Sequence, residues 1–338
     1  MPSHSDRVAI VGASSLLGKE LKRILEDRNF PSSEIVLLDT NEAAGTLTEA
    51  AGEPTFIRSL EEDSFEHSRY AFFAGTPADA VQNIPAALRS GATVIDLSGA
   101  AVGATGAVIS IPSLSTVLLP VPTKPALSGA VYFSPPAAVL IACTVSAAIS
   151  KFSPLRLALT LFPPVSEYGQ GGIDELESQT AGLLSFRSFS QATFDCQVAF
   201  NLLDRLGESA TPGLDDTRRK ITAFVSQFLS GRAPLPAIQL IQSPVFYGYA
   251  FSAFAEFPSA VPLEQLHASF ASLGARIAGP DDPAPSNVSV AGENEIHLAV
   301  ARPDDLHPSS FWFWGAADNL RLPAGNAVRI AEELLAKQ

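Results

Sequence analysis

Between an apolar run and an amphipathic stretch near the start of the chain lies Gly12-Ala-Ser-Ser-Leu-Leu-Gly18. A strand-to-helix turn of this kind aims backbone N–H groups and the positive helix end at an anion, and glycine lets a pyrophosphate approach the backbone. Gly12, Ser14, Ser15, Leu16, Leu17 and Gly18 are therefore expected to hold a dinucleotide. Ser15 stands where glycine is often needed, so the spacing departs from G-x-G-x-x-G. Asp39, closing the second apolar run, is placed to accept hydrogen bonds from a ribose diol. The alternative is that Gly12 and Gly18 only permit tight strand–helix packing.

Other reactive side chains are sparse. Cys143 sits among Leu140, Ile141 and Ala142, which marks a buried structural thiol, and Cys196 has no evident basic neighbour. Two cysteines make neither a disulfide framework nor a cysteine-rich zinc site. No two of the five histidines have metal-ligand spacing, so no metal site is expected. Asp174, Glu175 and Glu177 are expected on the solvated face of a helix.

The elements that must carry these residues are legible in the hydrophobic pattern. Over the first 130 residues, short apolar runs (RVAIVGA, EIVLLDT, YAFFAGT, ATVIDLSG) alternate with helical patterns, which predicts a doubly wound parallel sheet. The later runs LRLALTLFPPV and IQLIQSPVFYGYAFSAFAEF alternate in polarity, predicting an antiparallel sheet with one covered face. Helices are expected over 172–184 and 214–229, and a closing helix in NAVRIAEELLAKQ. The expected fold is α/β: a Rossmann-type domain over 1–131 plus 318–338, and an inserted α+β domain with a mostly antiparallel sheet over 132–317.

Composition excludes several classes. A chain of 338 residues with 46% hydrophobic and 17% charged residues buries a large core. A net charge of −13 with scattered basic residues argues against nucleic acid or an anionic membrane as partner. The longest apolar stretch, Ala137 to Ile149, is too short to span a bilayer. MPSHSDRVAIVG lacks the basic start and apolar core of a secretory leader, so a soluble, cytoplasmic protein is expected.

Five blocks, in order, resemble the aspartate-semialdehyde dehydrogenase family: VAIVGASSLLGKELKRILEDRNFPSSEIVLL, FFAGTPADA, GATVIDLSGA, VSEYGQGGIDELESQ and WFWGAADNLRLPAGNAVRIAEELL. The resemblance implies a Rossmann domain completed by the C-terminal helix, and an inserted domain for chemistry and dimerisation. It implies reduction of aspartyl phosphate with NADPH through a cysteine thioester, a step of amino-acid biosynthesis. It adds Gly75 and Asn319 to the cofactor site, and implies a homodimer in which the segment of Trp312 and Trp314 buries apolar surface.

At the positions that carry the family's chemistry, this chain departs from the pattern. The nucleophilic cysteine's place is taken by Ala137, in Ser134-Pro-Pro-Ala-Ala-Val139. The family's glutamine falls at Pro163, its arginine at Gln242 and its histidine at Tyr249. Ala101, Val102 and Gly103 follow the block in which a phosphate-binding arginine is expected. Glu42 stands for the arginine that meets the NADP 2′-phosphate, so the expected cofactor is NAD or none, with NADP disfavoured. Two functions follow: a dimeric binding or regulatory homologue that has lost the reaction and pairs with itself or an active paralogue, or an oxidoreductase that uses NAD(H) on another carbonyl without a thioester.

Overall fold

A computed structural model describes residues 7–40, 43–50, 53–101, 107–118, 130–279 and 281–337. The chain forms two compact units, one of residues 1–112, 120–136 and 323–338, the other of 113–119 and 137–322. The expectations for Glu42, Val102 and Gly103 fall outside the described residues.

In the first unit seven strands form one sheet: β1 (Arg7–Val11), β2 (Glu34–Asp39), β5 (Arg58–Ser59), β6 (Ser68–Phe73), β7 (Thr93–Asp96), β8 (Val108–Ile109) and β9 (Val131–Phe133). Their order is β5-β2-β1-β6-β7-β9-β8, and every pairing is parallel. An antiparallel hairpin, β3 (Leu47–Ala50) with β4 (Glu53–Phe56), interrupts the sequence. Helices α1 (Leu16–Asp27) and α2 (Pro77–Arg89) follow β1 and β6. Leu21, Ile24 and Leu25 recur at helical spacing and give α1 its buried stripe. The C-terminal helix α7 (Arg321–Ala336) sets Ala327, Val328 and Ala331 into the core built around Val8, Ile10 and Phe72.

Strand order reverses between β1 and β6, which is where an open α/β sheet forms its ligand crevice. Gly12 leaves β1 there and meets Gly75, just past β6. Gly12 has φ +78°, and a Cβ on it would lie 2.3 Å from the Cα of Gly75. A Cβ on Gly18 would lie 2.2 Å from the carbonyl oxygen of Gly12. These glycines are required by backbone packing itself.

The second unit carries a mixed, mostly antiparallel sheet: β10 (Arg156–Phe162), β11 (Ala237–Leu240), β12 (Tyr249–Glu256), β13 (Arg276–Ile277), β14 (His297–Leu298), β15 (Arg302–Pro303) and β16 (Ser310–Ala317). The order is β11-β10-β12-β16-β14-β13, with β15 also on β16. The long IQLI…AEF run holds two strands, β11 and β12, and β11 joins β10 in parallel where an antiparallel sheet was expected. Helices α3 (Ala137–Ser150), α4 (Gly169–Leu184), α5 (Leu214–Leu229) and α6 (Leu263–Ala271) complete the unit. Alternation is strict in β12, whose Tyr249, Phe251, Ala253 and Ala255 are buried while the residues between them are partly exposed. On the open face Phe162 lies against Trp314, and Phe254 against Trp312. The tryptophans are 47% (Trp312) and 39% (Trp314) exposed, so they are not part of this chain's core. Among the described residues no helix is long and apolar enough to cross a membrane.

Replacing Gly12 with alanine forces both a left-handed backbone and a clash with Gly75, so Gly12→Ala should destabilise the protein by about 2 kcal/mol or more. Urea unfolding measures this; a stability within 0.5 kcal/mol of the unmodified chain would show that the turn relaxes freely.

Candidate functional site

The turn after β1 is held by side chains of its own. Ser15 caps α1 by accepting a hydrogen bond from the Gly18 N–H (2.9 Å), while its hydroxyl donates to the carbonyl of Ala74 (2.9 Å). A serine at this place is thus a bridge to β6 as well as a cap. Asp39 accepts from the N–H of Ser14 (2.7 Å) and of Thr40 (2.8 Å), and it is only 8% exposed. Its carboxylate therefore organises the turn. Leu16 and Leu17 open the helix, where first-turn N–H groups lack intrahelical acceptors. Gly12, Ser14, Ser15, Leu16, Leu17, Gly18, Asp39 and Gly75 come together in one unit at the start of α1.

The residues of the second unit expected at the reaction centre are buried, and Pro163 and Gln242 are bonded to each other. Ala137 is the first residue of α3 and has no exposed surface. The carbonyl of Pro163 accepts from Gln242 Nε2 (3.0 Å), the Ser243 N–H (3.2 Å) and the Ser243 hydroxyl (2.9 Å). Gln242 is fully buried and donates again to the Ser243 carbonyl (3.0 Å), while its Oε1 has no hydrogen-bond partner. Cys143 lies within α3 with no exposed surface, and burial pushes its thiol pKa far up, partly countered by Arg232. Cys196 is also raised, chiefly by burial. Neither thiol is poised as a thiolate.

A carboxyl group that the sequence reading did not single out stands at the centre of a polar cluster. Asn319 is buried; its Nδ2 donates to Glu167 Oε1 (2.8 Å) and Ser166 Oγ (3.1 Å), and its Oδ1 accepts from the Gly248 N–H (2.9 Å). Tyr249, buried beside Gly248, donates its hydroxyl to Glu167 Oε2 at 3.5 Å. Glu167 keeps solvent exposure, yet the protein packed around its carboxyl group pushes the pKa up to about 7, against the lowering effect of Asn319 and Tyr249. The only signal in the sequence was an acid inside the small-residue block VSEYG, with no periodicity to mark it.

Helix α4 also departs from expectation. Glu175 is 4% exposed, not solvated: it accepts from the N–H groups of Thr193 (2.5 Å) and Phe194 (3.3 Å) and from Gln179 Nε2 (3.1 Å). Its carboxylate replaces missing backbone acceptors for the loop after α4, a role that helix periodicity does not reveal.

With this geometry, comparison with known proteins is specific. The model of the semialdehyde dehydrogenase NAD binding domain matches residues 7–117, and that of the semialdehyde dehydrogenase dimerisation domain matches residues 151–322. A USG-1 protein homolog of Pseudomonas aeruginosa is 30% identical over 97% of each chain. An aspartate-semialdehyde dehydrogenase of Rickettsia bellii is 28% identical, again over 97% of each. The solved structure of a probable aspartate-semialdehyde dehydrogenase from Pseudomonas aeruginosa superposes with a TM-score of 0.83 at 30% identity, covering 97% of this chain and 98% of that one. The chain belongs to the semialdehyde dehydrogenase family, whose NAD-binding and dimerisation domains it carries in succession.

Proposed function

We propose that this protein is a dimeric member of the semialdehyde dehydrogenase family that does not carry out the thioester reaction and acts as a binding or regulatory homologue. One observation carries the reading: the first turn of α3 begins Ala137-Ala138-Val139, and the only thiol on that helix, Cys143, is buried with a raised pKa. An acyl-enzyme needs a thiolate within reach of solvent-borne substrate, and a methyl group supplies none. Pro163, Gln242 and Tyr249 likewise offer no imidazole or guanidinium for proton transfer or carboxylate capture. Removing the members of such a set together costs on the order of a millionfold in rate.

The nucleotide turn is compatible with a bound dinucleotide. Ser14 to Gly18 would face the pyrophosphate and Asp39 the ribose, with Gly75 against the turn. A bound nicotinamide would supply hydride transfer. An aspartate at this strand end repels a 2′-phosphate, which favours NAD(H) over NADP(H). The runner-up, an NAD-dependent reduction of some other carbonyl without a covalent intermediate, draws on Glu167. A carboxyl group with a pKa of about 7 beside a tyrosine hydroxyl matches what a proton donor requires.

Three measurements test the proposal. Incubated with aspartate semialdehyde, phosphate and either NADP or NAD, the protein should show no nucleotide reduction above background; clear phosphate-dependent turnover would overturn the loss of function. In calorimetric titration NADH should bind at least about tenfold more tightly than NADPH, whose 2′-phosphate meets Asp39. Tighter binding of NADPH would refute the assignment of Asp39. By sedimentation the protein should be a dimer at micromolar concentration, and Trp312→Glu, which charges the open aromatic face, should shift it to monomer. A monomeric unmodified chain would count against that interface.

A further inference from the structure

We propose that Glu293, Glu295 and His297, the last of them the first residue of β14, form a binding site for a divalent first-row transition ion, Zn2+ in particular. One donor atom from each residue lies within 4.8 Å of the other two, and His297 Nε2 is 4.0 Å from Glu293 Oε2. A tetrahedral Zn2+ with bonds of about 2.0–2.1 Å sets its donors roughly 3.4 Å apart, so rotation of two glutamate side chains closes the set. The three residues stand at alternate positions of Glu293-Asn-Glu-Ile-His297, a spacing that a search for histidine pairs does not reveal.

The second observation is independent of the acids. His297 is 8% exposed, and its Nε2 is buried without a hydrogen-bond partner. A gap of 4.0 Å to the carboxylate is too long for a hydrogen bond. A buried imidazole nitrogen left in this state calls for a ligand to fill the gap, and a metal ion is the ligand that neutral imidazole and two carboxylates share. Glu293 and His297 open onto a cleft of about 120 Å³ that Ser289, Asp282 and Arg276 also line, leaving room for water to complete the coordination. Two carboxylates balance a divalent charge, and Asp282 offsets that of Arg276.

The scaffold around the cluster is tied down, as a metal site requires. The Gly292 N–H donates to Asp318 Oδ2 (2.8 Å), Asn294 Oδ1 accepts from Arg321 Nε (3.0 Å), and the Ile296 carbonyl accepts from the Arg276 N–H (2.9 Å). Residues 292, 294 and 296 are thus anchored while the alternating 293, 295 and 297 supply the donors. One nitrogen and two oxygens form a borderline set that favours Zn2+ over Mn2+ and over Mg2+ or Ca2+.

The test uses the full, tag-free chain stripped with chelator. Calorimetric titration with ZnCl2 should show one equivalent bound, uncompeted by millimolar Mg2+. Co2+ should bind with visible d–d bands and without thiolate charge-transfer absorption. Glu295→Gln and His297→Gln should each weaken Zn2+ binding about tenfold or more, with unchanged far-ultraviolet dichroism. The proposal is overturned if no equivalent binds at millimolar Zn2+, if Co2+ gives a thiolate band that places it on Cys196, or if affinity survives Glu295→Gln. Should His297→Gln fail to fold, the Co2+ spectrum of the unmodified chain and the Glu295→Gln titration decide.

Discussion

A helix with thirteen of its fourteen residues buried has no face to offer water, so it must be enclosed by protein all round. Helix α3 imposes this condition on the second unit. The inner side chains of β10 supply one apolar surface, while α5 and α6 supply others, each with a single buried stripe. One polar group that meets α3 is satisfied there, the Ser269 hydroxyl donating to the Ala148 carbonyl at 2.6 Å, while the buried Ser146 hydroxyl of α3 itself has no hydrogen-bond partner. Enclosure explains why small residues dominate the sequence of α3, since Ala, Ser and Thr let neighbouring elements approach closely. It also fixes the character of Cys143. A thiol in the middle of such a helix is a packing group, and burial alone drives its pKa out of the reactive range.

The polar side chains of this unit obey a complementary rule. Cut off from bulk water, Asn319, Gln242 and Glu175 each bind backbone groups that regular structure leaves unpaired, and so fix the loops around α4 and β12. Asn319 joins three segments distant in sequence through Ser166, Glu167 and Gly248. Gly248, at φ +82° with Asn287 against it, admits no side chain, and the turn delivers Tyr249 to Glu167. Glu167 retains solvent contact together with a raised pKa. That combination suits a carboxyl group that exchanges a proton near neutrality.

Much of the architecture was legible because hydrophobic period is a local signal. The continuous runs before Gly12 and Gly75 became parallel strands, and the 3.6-residue stripe of Leu21, Ile24 and Leu25 became α1. The hairpin of β3 and β4 was missed, because strands of four residues with exposed Leu47 and Phe56 leave no burial pattern to read. Two-residue strands such as β13 and β14 are defined by their neighbours rather than by their own sequence. The candidate site divides in the same way. The turn residues Gly12 to Gly18 are contiguous and stood out, whereas Glu167, Glu175 and the Glu293–His297 group acquire meaning only from partners brought in by folding. For Glu175, helical spacing alone pointed to solvent, and the loop after α4 reversed that expectation.

A glycine-rich turn is commonly taken as a record of what it binds, and here that inference must be narrowed. Gly12 and Gly75 approach so closely that neither a ligand nor its absence alters the demand for glycine, and Gly18 is held by the carbonyl of Gly12. Ser15, which departs from the usual dinucleotide pattern, caps α1 and reaches Ala74, so it too serves the fold. The constraint on these four positions comes from closing a strand, a turn and a helix at the point where the sheet reverses its order. A protein could abandon the nicotinamide and still be obliged to keep all of them. Asp39 is subject to the same argument through Ser14, although its carboxylate oxygens can each accept a further bond. What these four positions record is therefore the closure of the fold, and the identity of any ligand has to be read from groups that the fold leaves free.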